Sequence, residues 1–169
     1  MDMPADVDLR CSVIVIRGGA VLLVRRDRAG DWVLPGGTPR PGESMAACAR
    51  REALEETGLA VDPARVAFIA ETLGPESLRR AVDLVFLAGP DVRGEPVPQE
   101  PGLDARFVPL DALPGLDLRP PLAGHLRGLY ARGSEPTAAY LGNLWRPQRR
   151  DDADGMPLEA RLPARDSLP

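Results

Sequence analysis

Apolar positions along the chain fall first into short unbroken runs and later into stripes spaced by three and four. Residues 11–17 (CSVIVIR) and 20–26 (AVLLVRR) are rich in β-branched and aliphatic side chains, and Gly18-Gly19 joins them, which predicts a β-hairpin. Neither run alternates cleanly between apolar and polar, so both strands should be buried on both faces. After a polar turn at 27–31, Trp32-Val33-Leu34 is a short strand, stopped by Pro35 and released into Gly36-Gly37. Residues 65–72 (RVAFIAET), 80–88 (RRAVDLVFL) and 105–108 (ARFV) also have strand composition, and 89–104, rich in Pro, Gly and acids, reads as loop. Residues 110–113 resemble a single helical turn. The segment 120–130 predicts a helix that opens on proline and carries Leu122, Leu126 and Leu129 at i, i+4 and i+7.

Between the third strand and residue 60 lies the strongest helical signal. Pro41-Gly42 makes a turn, Ser44 suits the N-cap, and no Pro or Gly intervenes before Gly58, which suits the left-handed stop. Leu59 is placed to touch Leu54 in a Schellman-type ending. Ala46, Ala49 and Ala53 form a narrow stripe suited to close packing on a sheet. Beside that stripe Glu52, Glu55 and Glu56 project from one face, since helical residues turn by about 100° each. Like charges at this spacing destabilise a helix by roughly 0.2–0.5 kcal/mol per pair, and the macrodipole disfavours acids in a last turn. Arg51 can pair with Glu55 at i, i+4, but a single arginine is a small counterweight. A helix that grips a divalent cation has a reason to collect these anions; a plain structural helix has little.

The bulk numbers narrow the classes. A chain of 169 residues, 44% hydrophobic and 27% charged, is long enough for one domain with a real core. A net charge of −4 argues against an electrostatic grip on nucleic acid polymers or anionic membranes. All 21 basic residues are arginine, alongside abundant Ala, Gly and Pro, which reads as compositional bias rather than as a field of phosphate clamps. Cys11 and Cys48 give neither a disulfide framework nor zinc spacing and are expected as buried small hydrophobes in a reducing compartment. The first ten residues lack a signal-peptide pattern, and no apolar run approaches the roughly 18 residues of a membrane span. A soluble, cytoplasmic protein is the expectation.

At fixed spacing the central stretch is Gly37, five residues, Glu43, seven residues, Arg51-Glu52, Ala53, one residue, Glu55-Glu56, one residue, Gly58, Leu59. It resembles the Nudix box, with every fixed position present. The departure is Ala53, where the family carries a bulkier aliphatic. The box covers 37–59; outside it the similarity is one of strand placement. The resemblance implies an α/β fold, a Nudix-type α/β/α sandwich in which a mixed β-sheet lies between the box helix and the later helix. It also implies a Mg²⁺- or Mn²⁺-dependent hydrolase that cuts a diphosphate linkage in a nucleoside diphosphate derivative.

By that resemblance Glu52 and Glu56 are the principal metal ligands, with Glu55 a further ligand or the general base, and Arg51 orients the carboxylates by ion pairing. Gly36 and Gly37 let backbone approach metal and phosphate, Gly37 through its carbonyl. Oxygen donors of this kind suit a hard cation that keeps several waters. Family members differ in the base, so Glu100 and Asp104 from the distal loop stay as alternatives to Glu55. His125, the only histidine, reads as an exposed helix residue, and Trp32 as packing beside the glycines rather than as a base-stacking platform. Pro75, 16 residues beyond Leu59, lies near the position of a proline common in relatives acting on ADP-ribose. The partner is a small-molecule nucleotide: a nucleotide sugar such as ADP-ribose, or a (d)NTP, oxidised forms included. A homodimer, common in the family, is left open. The runner-up function is a non-catalytic module on the same fold that senses a ligand or binds a protein.

The composition changes near residue 133. Residues 1–132 are read as the hydrolase domain and 133–169 as a C-terminal extension, whose one apolar island is Tyr140, Leu141, Leu144 and Trp145. That extension is either a flexible tail or a segment docked on the core or on a second subunit.

Overall fold

The computed structural model describes residues 6–26, 29–75, 79–135 and 138–147. Along them run β1 (Asp6–Ile14), β2 (Ile16–Arg17), β3 (Ala20–Arg26), β4 (Trp32–Val33), β5 (Gly36–Gly37), α1 (Met45–Thr57), β6 (Pro63–Thr72), β7 (Arg79–Ala88), β8 (Leu103–Pro109), α2 (Ala123–Ala131) and β9 (Ala139–Asn143). The strands build two sheets. A five-stranded mixed sheet has the order β5-β1-β7-β6-β9, with β1 and β7 parallel and β6 antiparallel to β7. A four-stranded antiparallel sheet joins β2, β3, β4 and β8. The α/β sandwich with a mixed sheet is therefore present, with a second sheet beside it.

The hairpin expected over 11–26 is real only at its turn. Ile16 pairs with Val21 and Arg17 with Ala20, while residues up to Ile14 leave for the mixed sheet. The run divides at Val15, so one apolar stretch serves two sheets. That division fits the missing alternation: Cys11, Ser12, Val13 and Ile14, and likewise Val21 through Val24, are fully buried.

Alternation does appear once pairing is known. Cys11 and Val13 on β1, Val15 just after it, and Leu84 and Phe86 on β7 pack towards α1 with Cys48, Ala49 and Ala53. The opposite face carries Ile14, Val85 and Leu87, which join Leu113, Leu122, Leu126 and Leu129 in the larger core against α2. The expected alanine stripe is the inner face of α1, and the Leu122/Leu126/Leu129 stripe is the inner face of α2. α2 begins at Ala123 rather than 120 because Pro120 precedes Pro121, and a residue before proline is pushed out of the helical region. The helical turn expected at 110–113 is a 3-10 turn displaced to Leu113–Gly115, with proline in its first turn.

β9 lies beyond residue 132 and pairs in parallel with β6, Phe68 opposite Ala139 and Ile69 opposite Tyr140. Leu141 and Leu144 pack against the larger core, whereas Tyr140 and Trp145 are 65% and 40% exposed. The rest of the extension, from 148 onward, lies outside the described residues. Among the described residues no helix is long and apolar enough to cross a membrane.

Candidate functional site

The site begins with how α1 is held. Ser44 accepts the Ala47 N–H on its hydroxyl at 3.2 Å, and Gly58, at φ +71°, closes the helix by donating its N–H to the Leu54 carbonyl. Leu59 is buried while Leu54 is 50% exposed, so the backbone bond, more than an apolar clasp between them, makes the stop. Cys48, Ala49, Ala53 and Thr57 face the sheet. With that face committed, Glu52 and Glu56 are turned towards β5, and Glu55 towards Arg40 in the loop after it.

Arg51 does more than the expected i, i+4 pairing. Its guanidinium clasps both oxygens of Glu43 at 2.8 and 2.9 Å, reaches Glu52 Oε1 at 2.6 Å and Glu55 Oε2 at 2.9 Å, and donates to the Thr38 carbonyl. Arg40 adds an ion pair to Glu55 at 3.1 Å, and its backbone N–H donates to Glu43. The Glu43 carboxyl is thereby held down at about 2, chiefly by the Arg51 hydrogen bonds and then by the Arg40 N–H. Arg51 is pushed above its ordinary value by the same contacts.

Glu56 stands apart from this arginine clasp. Its carboxylate accepts the Gly36 N–H at 2.9 Å, and burial raises its pKa to about 7, against the smaller lowering effects of Gly36 and Arg10. Glu52 and Glu100 push in the same direction as burial. Glu100 is therefore near enough to be felt at the site, whereas Asp104 is ion-paired with Arg106.

The two glycines have separate structural reasons. A Cβ on Gly37 would lie 2.4 Å from the Glu52 carboxyl carbon and Oε1, and one on Gly36 would lie 2.4 Å from the Cys11 carbonyl and 2.6 Å from Ser12 Cα. Gly36 and Gly37 form β5, paired with Ser12 and Cys11. The bare backbone brings the acidic helix face against the edge of the mixed sheet. The Gly37 carbonyl accepts a weak bond from Cys48 Sγ at 3.5 Å. Both cysteines are free and buried, as expected of small hydrophobes, and burial lifts the Cys48 thiol to about 12.

Among the described residues no three His, Cys, Asp or Glu side chains are gathered as a ready metal site. The physical reason is visible: Arg51 draws Glu52 and Glu55 to itself, and Glu56 is turned to the Gly36 amide. The donor chemistry still fits a hard divalent ion. Glu52, Glu55, Glu56 and the Gly37 carbonyl are all oxygen donors, and Glu52 already lies against the Gly37 backbone.

Other residues fall away from this centre. His125 is half-buried and tilts against Phe68, ring centres 5.8 Å apart, so it packs on the core and is not on an open helix face. Trp32 packs against the larger core, with the Arg106 guanidinium 5.3 Å from its ring centre. Sequence reasoning missed Arg40, and it missed Arg10, Ser12 and Asp83. The available signal for Asp83 was one acid inside the apolar run 80–88; Arg10 lay just outside the assumed strand.

A family model described as NUDIX domain matches residues 8–132. Over 97 residues, 52% of this chain and 28% of the relative, the sequence is 36% identical to an 8-oxo-dGDP phosphatase of Homo sapiens. Over 53 residues, 30% of this chain and 34% of the relative, it is 47% identical to an oxidized purine nucleoside triphosphate hydrolase of Danio rerio. The chain thus spans about a third of the length of these curated relatives. Among solved structures, a MutT NUDIX hydrolase from Burkholderia pseudomallei superposes with a TM-score of 0.57 at 29% identity, covering 63% of this chain and 85% of that one. A MutT protein from Methanosarcina mazei has the same fold, with a TM-score of 0.65 at 23% identity over 79% of this chain and 99% of that one.

Proposed function

The chain belongs to the NUDIX family of hydrolases, and on that premise we propose that it cuts a diphosphate linkage in a small nucleotide in a divalent-metal-dependent reaction, releasing a nucleoside monophosphate. The observation that carries this reading is the placement of Glu52 and Glu56 directly against the side-chain-free Gly36-Gly37 backbone, with Glu55 beside them on the same side of α1, held by Arg51 and Arg40.

In this reading Glu52, Glu56 and Glu55, with the Gly37 carbonyl, hold Mg²⁺ or Mn²⁺. When bound, such an ion offsets diphosphate charge and acidifies a water. The chain's own groups do the positioning. Arg51 aligns Glu52 and Glu55 while being braced by Glu43, and binding a cation requires it to release part of that grip. Glu55, the most exposed of the three with 37% of its side chain accessible, takes the proton from the attacking water on a carboxylate oxygen. Glu100 is the alternative base, since its charge already reaches Glu56. The two buried thiols suit a reducing cytoplasm.

Substrate candidates are oxidised purine nucleotides, named in the human and zebrafish relatives, and nucleotide sugars such as ADP-ribose, named for a solved structure of the same fold. The test is a panel of (d)NTPs, their oxidised forms, nucleoside diphosphates and ADP-ribose with Mg²⁺ or Mn²⁺, products being separated by chromatography. Metal-dependent release of a nucleoside monophosphate from any of them supports the proposal. One observation favours a second reading, a ligand-sensing module: Arg51 already occupies Glu43, Glu52 and Glu55. Nucleotide binding without turnover across the whole panel would select it.

A further inference from the structure

A buried carboxylate lies two strands from β5 in the mixed sheet. Asp83, on β7, is 7% exposed, and on β1 it faces Ser12, which is fully buried, and Arg10. The Ser12 hydroxyl donates to Asp83 at 2.6 Å, and Arg10 Nε is 3.7 Å from Asp83 Oδ2. Burial holds the Asp83 carboxyl above its ordinary range against the opposing pull of Arg10 and Ser12. A carboxylate taken out of water with so few partners is costly, and a hydrophobic pair would fill the same space without that cost. The apolar residues that follow on the same face, Ile14, Val85 and Leu87, show what plain packing requires there.

Both partners of Asp83 grip the strap that forms the other wall of the site. Arg10 donates to the Leu34 carbonyl at 3.0 Å. Ser12 pairs with Gly36 in the sheet, so closely that a Cβ on Gly36 would lie 2.9 Å from the Ser12 hydroxyl. Between these two points the Val13 N–H donates to the Pro35 carbonyl at 3.0 Å. The strap ends in the Gly36 N–H that holds Glu56. From this continuous series of contacts we infer that Asp83 is a positioning residue for the active site: through Arg10 and Ser12 it sets the strap 34–36 and so the Gly36 amide against which Glu56 is aligned.

The inference rests on the proposed hydrolase reading only for its kinetic arm, because the Gly36 amide can be observed without turnover. Asp83→Asn keeps the size of the side chain and an acceptor for Ser12 but gives up the ion pair with Arg10. In a folded Asp83→Asn protein, hydrogen exchange at the Gly36 amide should speed up by about tenfold or more. With the substrate found in the panel, kcat should fall about tenfold to a hundredfold while KM stays within about twofold, as expected when Glu56 is slightly misplaced relative to the reacting atoms. Wild-type exchange at Gly36 together with wild-type kcat would overturn the inference. Should Asp83→Asn fail to fold, the double variant Arg10→Met/Asp83→Leu replaces the buried ion pair by apolar packing. A wild-type melting temperature with lowered kcat and a less protected Gly36 amide supports positioning. A wild-type melting temperature with wild-type kcat and Gly36 protection reduces Asp83 to a fold element and overturns it. If wild-type protein turns over nothing in the panel, the hydrolase proposal falls, and Gly36 exchange alone still decides the role of Asp83.

Discussion

The carboxyl of Glu52 occupies the space that a side chain on Gly37 would need, with only 2.4 Å between the Glu52 carboxyl carbon and an ideal Cβ at Gly37. The obstructing group is the far end of a flexible side chain, so Gly37→Ala should fold and push Glu52 aside rather than break β5. We expect turnover of the best nucleotide to fall by about tenfold to a hundredfold in Gly37→Ala, with a melting temperature within a few degrees of wild type. Steady-state kinetics beside a thermal melt checks this. Undiminished turnover would show that the close approach of Glu52 to Gly37 has no part in the reaction.

Glu56 makes a prediction about stability in chelator-treated protein. Its folded pKa, about 7, lies above the ordinary 4.5 because burial disfavours the charged form. The contribution is therefore full below the unfolded value and is lost as pH rises through about 7. Glu56→Gln removes that dependence and should be more stable than wild type at pH 8, by ~3 kcal/mol at most from the size of the shift. Denaturant unfolding at pH 5 and pH 8 reads the difference. Equal pH dependence in both proteins would place Glu56 in water.

Glu43 has the opposite sign. Its folded value, about 2, lies below the ordinary 4.5, so its contribution is full above the unfolded value and is lost as pH falls through about 2. Arg51→Gln should flatten the acid limb of a melting-temperature profile over this window, since the Arg51 hydrogen bonds are the largest cause of the shift. An unchanged acid limb in Arg51→Gln would assign the lowering to Arg40 and its N–H.

Removing the chain after Gly133 takes away β9 and with it the two bonds between Asn143 and the Leu73 backbone, each 3.0 Å. It also strips Leu141 and Leu144 from the larger core. We expect a loss of about 2–5 kcal/mol from two leucines of this partial burial, seen as a lower denaturation midpoint. An unaltered midpoint would make β9 an ornament on the edge of the sheet.

What could be read from the sequence and what could not follow from the range of the interactions. Ser44 and Gly58 announce the ends of α1 because capping is local, and the spacing of Glu52, Glu55 and Glu56 places them on one helix face whatever the fold around them. Strand partners are non-local. The run 11–17 gave no hint that Val15 divides two sheets, since a strand buried on both faces has no alternation to mark its register. Gly36-Gly37 carries no strand propensity and becomes β5 only because β1 lies beside it. The reach of Arg51 to Glu43 and of Arg10 to Asp83 depends on side chains brought together across 8 and 73 residues, by the way the chain enters α1 in one case and a parallel strand pair in the other. The later helix was displaced by a local rule that was available, the pair Pro120-Pro121.

In the proposed reaction Glu52, Glu55 and Glu56 of α1 hold a divalent ion against a nucleotide diphosphate. The decisive measurement is Mg²⁺-dependent hydrolysis of the best panel nucleotide by wild type, Glu52→Gln and Glu56→Gln, each verified as folded and each assayed for direct Mn²⁺ binding. Both variants should keep the fold, bind Mn²⁺ at least about tenfold more weakly, and lose more than about 99% of the metal-dependent rate, as for removal of a group stabilising transition-state charge. Wild-type rate and wild-type Mn²⁺ affinity in either variant would contradict it.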